Sequence, residues 1–437
     1  MSSFLKEINE KILVFDGSKG TMLQSLGLLG GECPELWNIE HADEVLSIYN
    51  SYKQAGANVI QTNTFQGNRL KLEEYGLADK TYELNFFGVK LAKEAMGKDG
   101  YVAASIGPLG KLFVPSGDLT FEQAYDVFKE QILAVVDAGA DIINFETFTD
   151  LAEMRVALIC AKENSDLPVI CSMAFESNGR TLMGNDPGTC AVVLKSLGAD
   201  LIGINCSTGT IHMVDILKKM HETGEGYFSV KPNAGLPVIK NGSVVYNETP
   251  EQFAKAATKF AKYGARLIGG CCGTTPEFIK NIAITVSTIQ PSPIGHVSGR
   301  IITSAVKLLN LSSIKNIIIG RIDVNNDDIL QGEINNKNYD YIIDCIMEMN
   351  NCDAIYISID NNKREADYLP EVIDIVQTYS KEPVVINTKD QSALAGALRI
   401  YKGKAGVIVN QTVENNIDEL INIIRKYGGT IVADNIS

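Results

Sequence analysis

The sequence predicts an α/β chain, a (β/α)8 TIM barrel followed by a smaller, incomplete βα domain resembling half a barrel, and three observations carry this. Short apolar runs alternate with amphipathic segments through residues 1–290, the pattern of a parallel α/β architecture. A glycine-centred phrase recurs just ahead of several runs: Ala-Gly-Ala at 55–57 and 138–140, Leu-Gly-Ala at 197–199 and Tyr-Gly-Ala at 263–265. That is helix-stop chemistry feeding a strand, repeated as a unit. Beyond a linker, five further runs follow, too few for a second closed barrel.

The first eight runs are 11–17, 58–65, 101–108, 141–147, 168–175, 199–207, 227–235 and 265–272. Their centres are almost unbroken apolar stretches, as expected of strands covered on both faces. Amphipathic segments such as 121–138, 151–164 and 250–263 supply the intervening helices. The first βα turn has no Gly-x-Gly-x-x-Gly fingerprint, which favours a closed barrel over an open doubly wound sheet. Residues 291–300 form the linker, marked by Pro291, Pro293, Gly295 and Gly299. The second domain, 301–437, has strand-like runs at 316–322, 354–360, 383–388, 405–411 and 430–434, with helices predicted at 326–350, 368–380, 390–401 and 414–427.

Composition excludes several classes. The net charge is −14, from 39 basic and 53 acidic residues. A phosphate-tracking surface is basic, so neither nucleic acid nor an anionic membrane is an expected partner. No run approaches the ~18–20 apolar residues of a membrane helix. The acidic Met1–Glu10 segment does not read as a signal peptide. The expectation is a cytoplasmic protein whose nine cysteines are thiols or metal ligands.

In a barrel, chemistry collects at the carboxyl ends of the strands. Those ends carry Asp16, Thr62-Asn63-Thr64, Ser105 with Gly107, Glu146-Thr147, Ser172, Asn205-Cys206, Asn233 and Gly269-Gly-Cys-Cys-Gly-Thr274. Strands six and eight flank strand seven, so Cys206, Cys271 and Cys272 can converge on one cation. Three thiolates suit Zn2+ and leave its fourth tetrahedral position open, the arrangement of a catalytic rather than a structural site. The ligand charge makes such an ion a poor activator of water. It suits capture of a substrate thiol as thiolate, which then attacks a methyl group without a general base. Cysteines 33, 160, 171, 190, 345 and 352 are read as small buried hydrophobes.

Residues 1–290 resemble the homocysteine S-methyltransferase family, and most closely the homocysteine-binding module of cobalamin-dependent methionine synthases. The motifs are Asp16-Gly-Ser-Lys-Gly-Thr-Met-Leu23, Gln61-Thr-Asn-Thr-Phe65, Ser105-Ile-Gly-Pro108, Phe145-Glu-Thr147, Gly203-Ile-Asn-Cys206, Lys231-Pro-Asn-Ala-Gly235 and Gly269-Gly-Cys-Cys-Gly-Thr-Thr-Pro276. The resemblance implies zinc on Cys206, Cys271 and Cys272, with homocysteine as the thiol. It further implies that Asp16 and Glu146 hold the substrate's amino-acid end, with Asn205 beside them, and that backbone amides near Ser105–Gly107 and Thr147 receive its carboxylate.

The second domain resembles the beginning of a pterin-binding barrel, through Glu382-Pro-Val-Val-Ile-Asn387 and Arg425-Lys-Tyr-Gly-Gly429. Asp360, Asn387 and Asn410 are the remnants of a pterin site. An amide stands where the family has a carboxylate, and the later half of the barrel is missing, which argues against folate. None of the four histidines sits in a corrinoid-ligand Asp-x-His-x-x-Gly motif. The expected donor is therefore methylcobalamin carried by a separate corrinoid protein. An S-methylmethionine or betaine donor, or a non-catalytic thiol-binding role, stays open. An incomplete barrel also leaves a strand edge that a second copy would cover, giving a homodimer.

Overall fold

Eight nearly continuous apolar runs can satisfy their backbone only by pairing with one another, and in the computed structural model they do so in chain order. The structure describes residues 2–223, 226–240, 243–293, 299–313, 316–349, 351–359, 364–409 and 417–432. Two compact units emerge, one of 1–187 with 199–296 and one of 188–198 with 297–437.

The first unit holds eight parallel strands: β1 (Leu13–Val14), β2 (Val59–Gln61), β3 (Tyr101–Ile106), β4 (Ile142–Phe148), β5 (Val169–Met173), β6 (Leu201–Asn205), β7 (Tyr227–Lys231) and β8 (Ala265–Ile268). Each pairs with its neighbour in sequence, and β1 pairs with β8. A parallel bridge between Phe15 and Val59 closes the ring. There the Asp16 N–H donates to the Val59 carbonyl at 3.0 Å and the Asn58 N–H to the Val14 carbonyl at 2.8 Å. Several strands are shorter than predicted because tip residues leave the ladder for other partners. The Asn63 N–H, for example, donates to the Tyr49 hydroxyl at 2.8 Å.

Alternate residues point into the barrel. At its amino end these are Leu13, Phe15, Val59, Ala103, Ile142, Ile170, Leu201 and Leu267, packed as one buried cluster with Phe4 and Ile8. The last two come from a helix, Ser3–Glu10, that plugs the barrel floor and begins at a Ser2 cap accepting from the Leu5 N–H. This helix was not anticipated from the sequence. One layer up, the inward positions become small or polar: Ser105, Asn144, Ser172, Gly203 and Ser229. Above them stand Glu146, Asn205 and Lys231. An antiparallel hairpin, Pro237–Lys240 with Ser243–Tyr246, follows β7 and is a second unanticipated element.

The second unit has five parallel strands in sequential order: β9 (Ile319–Asp323), β10 (Ala354–Ser358), β11 (Val384–Asn387), β12 (Gly406–Ile408) and β13 (Thr430–Val432). A short hairpin, Ile301–Thr303 with Leu308–Asn310, packs Ile302 and Leu309 against Ala354, Tyr356, Val385, Ile408 and Val432 on one face of this sheet. The single helix predicted at 326–350 is two, Asp328–Asn335 and Asp340–Glu348. They are separated at Lys337, whose φ of 54° lies in the left-handed region. Among the described residues no helix is long and apolar enough to cross a membrane.

Candidate active site

The tip of β7 is the spacer that brings two cysteine segments together. The Cys206 N–H, just past β6, donates to the Lys231 carbonyl at 3.2 Å. From the other side, the Cys271 N–H donates to the Pro232 carbonyl at 2.7 Å, and the Cys272 N–H to Asn233 Oδ1 at 3.1 Å. The three sulfur atoms thereby lie within 4.8 Å of one another, with Cys206 and Cys272 Sγ 3.9 Å apart. They are the cluster of metal-ligand type among the described residues.

The backbone is strained where these groups meet. Thr147, Cys206 and Ser207 all have positive φ, at 66°, 60° and 56°, a conformation costly for residues with a Cβ. Asn205 pins part of it. Its Oδ1 accepts from the Thr147 N–H and its Nδ2 donates to Thr147 Oγ1, both at 2.8 Å, with Cys271 Sγ 3.8 Å from the same Nδ2. Gly273, at φ 79°, is required twice over. It turns the chain after the cysteine pair, and a Cβ there would lie 2.3 Å from the Tyr246 ring.

The three thiols are within hydrogen-bond reach and influence one another's acidity. Hydrogen bonds from Cys271 and then Cys272 hold the Cys206 thiol down to about 3. Donation to Cys206 in turn pushes Cys272 up to about 11 and Cys271 well above its ordinary value. Three thiolates this close repel one another, so ionisation of the whole trio calls for a positive ion in its midst.

Two buried ion pairs complete the interior. Lys231, 1% exposed, bonds Glu146 and donates to Gln61 Oε1 at 2.7 Å, its ammonium 4.5 Å from the Phe15 ring centre. Ser105 Oγ donates to the other oxygen of Glu146. Lys19 pairs with Asp16, and the Gln61 N–H donates to the same Asp16 oxygen at 3.1 Å. Burial raises the Asp16 carboxyl to about 6 against the opposing pull of Lys19. Burial also lowers the Lys19 ammonium, with Asp16 acting to restore it.

A cavity of about 940 Å³ opens over these groups, lined among others by Lys19, Gln61, Ser105, Glu146, Thr147, Cys206, Cys271 and Cys272. Asp16 is fully buried and is not on the cavity wall. The amides expected to take a carboxylate are already engaged. Ser105 N–H donates to Thr62 Oγ1 at 3.0 Å, Gly107 N–H to the Phe65 carbonyl at 2.8 Å, and Thr147 N–H to Asn205 as described. Lys19, Gln61, Lys231, Asn233 and Tyr246 were not assigned roles from the sequence. For Lys231 a signal existed, since it shares the inward parity of Ser229 on β7. Tyr246 carried none, because its place depends on the hairpin. Of the remaining cysteines, Cys33, Cys160, Cys171, Cys190 and Cys352 are buried as expected, and Cys345 is half-buried.

In the second unit, Asn387 Nδ2 donates to the Tyr356 hydroxyl at 2.8 Å, and the Arg321 guanidinium lies 5.0 Å from the Tyr356 ring centre. Asp360 and Asn410 lie outside the described residues.

Residues 13–286 match the family model of homocysteine S-methyltransferase. Among curated proteins, the chain is 32% identical over 308 residues to the methionine synthase of Mycobacterium tuberculosis (strain ATCC 25618 / H37Rv), covering 66% of this chain and 26% of that protein. It is 33% identical over 307 residues to the methionine synthase of Mycobacterium leprae (strain TN), covering 65% and 25%. The chain thus spans about a quarter of the length of these relatives. Among solved structures it resembles the homocysteine methyltransferase MmuM from Escherichia coli. The metallated form superposes with TM-score 0.54 at 22% identity, over 63% of this chain and 96% of that one. The oxidized form gives 0.54 at 23%, over 65% and 99%. At such identities the likeness is one of fold.

Proposed function

The chain belongs to the homocysteine S-methyltransferase family, and from that membership we propose that it transfers a methyl group to the thiol of homocysteine, giving methionine, at a zinc ion held by Cys206, Cys271 and Cys272. The observation that carries the reading is the convergence of three sulfurs within 4.8 Å on the wall of the cavity. Bound there, zinc would supply the Lewis acidity that keeps the substrate sulfur a thiolate at neutral pH. The chain's own residues do the rest. Asn205 fixes the Thr147 turn beside the sulfurs, and Asn233 holds the Cys272 backbone, so the ligand set is oriented before the ion arrives. Glu146, backed by Lys231 and Ser105, is a buried carboxylate on the cavity wall and suits the substrate's ammonium group. Asp16 pairs with Lys19 through Oδ2, and its buried Oδ1, which has no hydrogen-bond partner among the described residues, is a second acceptor suited to that substrate ammonium.

For the donor we favour a methylated corrinoid on a separate protein. The cavity is several times larger than an amino-acid thiol needs. The segments that follow the carboxyl ends of five different strands carry exposed apolar side chains: Leu29, Leu112, Leu182, Ile211 and Val238. Such a rim is the kind of surface a partner protein covers. A free sulfonium or quaternary ammonium donor is the second reading. It is favoured by Glu248 and Glu277 on the same wall as Tyr246 and Phe278, with Glu248 Oε2 lacking a hydrogen-bond partner. Folate is not proposed as a donor, given the residues at 387–389, while a second copy pairing along the outer strands β9 or β13 remains the proposed oligomer.

The test is a donor screen. Zinc-loaded protein and homocysteine are offered methylcobalamin, a methylated corrinoid protein, S-methylmethionine, betaine and methyltetrahydrofolate, and methionine is measured. Turnover with the corrinoids supports the first reading, and turnover with the onium compounds alone supports the second. Thiol binding without turnover on any donor would leave only a thiol-binding protein.

A further inference from the structure

We propose that the barrel interior holds a buried water site beneath the Glu146–Lys231 pair, seated on Asn144, Ser172 and Ser229. Strand alternation defines its level. Asn144 lies two residues below Glu146 on β4, Gly203 two below Asn205 on β6, and Ser229 two below Lys231 on β7. Ser172 on β5 is in register with Gly203, and Gly203 with Ser229. Underneath, Ile142, Ile170, Leu201 and Leu267 belong to the apolar cluster that the Ser3–Glu10 helix seals. Polar side chains in such a place ordinarily bond one another, and one does: the Ser105 hydroxyl, in register with Asn144, donates to Glu146. Four atoms find no partner among the described residues, namely Asn144 Nδ2 and Oδ1, Ser172 Oγ and Ser229 Oγ. Their residues are 0–1% exposed, where an unmet donor or acceptor is costly.

Gly203 supplies the room. In the motif Gly203-Ile-Asn-Cys206 the zinc site uses the last two residues and leaves the glycine unexplained. Its φ is not in the left-handed region, so backbone freedom does not account for it either. A Cβ there would lie 2.0 Å from Ser172 Oγ. The missing side chain lets the Ser172 hydroxyl take the position that a side chain at 203 would fill. Ser229 stands on the far side of β6, its backbone two strand spacings, or ~9–10 Å, from that of Ser172. Water bridges such a span. The donor set also selects water over an ion. Asn144 offers an N–H and a carbonyl oxygen whichever way its amide is turned. A cation would face that N–H with the Lys231 ammonium above, and an anion would face the oxygen with the Glu146 carboxylate above. Water donates to one and accepts from the other, and at about three bonds each ~one or two molecules satisfy all four atoms. They hydrate from below a charge pair that burial otherwise strips of solvent.

A crystal structure of the full chain, at a resolution that places ordered water, tests this together with water magnetic relaxation dispersion in solution. Discrete water peaks are expected about 2.7–3.2 Å from Asn144, Ser172 and Ser229. The dispersion amplitude should report ~one or two fewer long-lived waters in S172A/S229A than in the wild type. Each substitution trims a single hydroxyl, and circular dichroism checks that the variant keeps its fold. Should the double variant fail to fold, the wild-type crystal decides alone. The proposal is overturned by pairing of the four atoms with one another, by a dry interior, or by a monovalent cation at that level, revealed by anomalous signal after thallium exchange. An unchanged count of long-lived waters in the folded double variant overturns it as well.

Discussion

At the residue scale, the three sulfurs act as one unit. Replacing any of Cys206, Cys271 or Cys272 by Ser leaves two thiolates, and bound zinc should fall from about one equivalent to a small fraction of that, with methyl transfer lost. Metal analysis and a methionine assay, with circular dichroism to confirm the fold, check this. Retention of full zinc by C206S would remove that ligand from the set. Glu153 carries a different prediction. It is buried on the helix Leu151–Asn164, accepts from the Leu109 N–H at 2.6 Å, and burial, reinforced by Asp150, raises its carboxyl to about 8. A folded-state value above the unfolded one means the folded chain holds a proton that the unfolded chain releases. The stability contribution is therefore complete below about 4.5 and is lost as pH rises toward about 8. Glu153→Gln keeps the acceptor and removes the titration. Its melting temperature should exceed that of the wild type at pH 8 by more than it does at pH 5. A pH-independent difference would refute the assignment.

At the element scale, two pieces that no barrel template calls for prove structural. The helix Ser3–Glu10 seals the barrel floor through Phe4 and Ile8. Phe4→Ala should cost about 3–5 kcal/mol, the range for an aromatic removed from a packed core, read as a lowered denaturation midpoint without change in zinc content. The hairpin ending at Tyr246 closes against Gly273. Gly273→Ala would drive a methyl into that ring at a positive φ, and the strain, about 1–3 kcal/mol, falls on the cysteine loop itself. Zinc affinity should drop more than global stability does. Equal losses would mean the glycine serves folding alone.

At the scale of the whole molecule, the apolar rim separates the donor readings. Leu112→Asp with Leu182→Asp alters exposed loop positions and should leave stability within about 0.5 kcal/mol. Activity with a methylated corrinoid protein should fall, while activity with free methylcobalamin should hold. Parallel loss with both donors would mean that the rim shapes the cavity rather than a docking face.

Periodic burial and strand-end chemistry were legible from residue order. Eight runs in register with glycine-ended helices allow few parallel arrangements, and cysteines at the tips of strands six and eight can meet only across strand seven in a closed ring. The five parallel strands of the second unit were readable for the same reason, whereas the division of 326–350 into two helices was not. What residue order could not convey is which groups partner which. That Lys231 backs Glu146, that Gln61 donates to Asp16, and that the amides of Ser105, Gly107 and Thr147 are spent internally depend on approach between residues some 40 to 170 positions apart. Side-chain direction is local and periodic, so sequence determines it. Hydrogen-bond satisfaction is a property of the closed three-dimensional packing, so only the tertiary structure decides it.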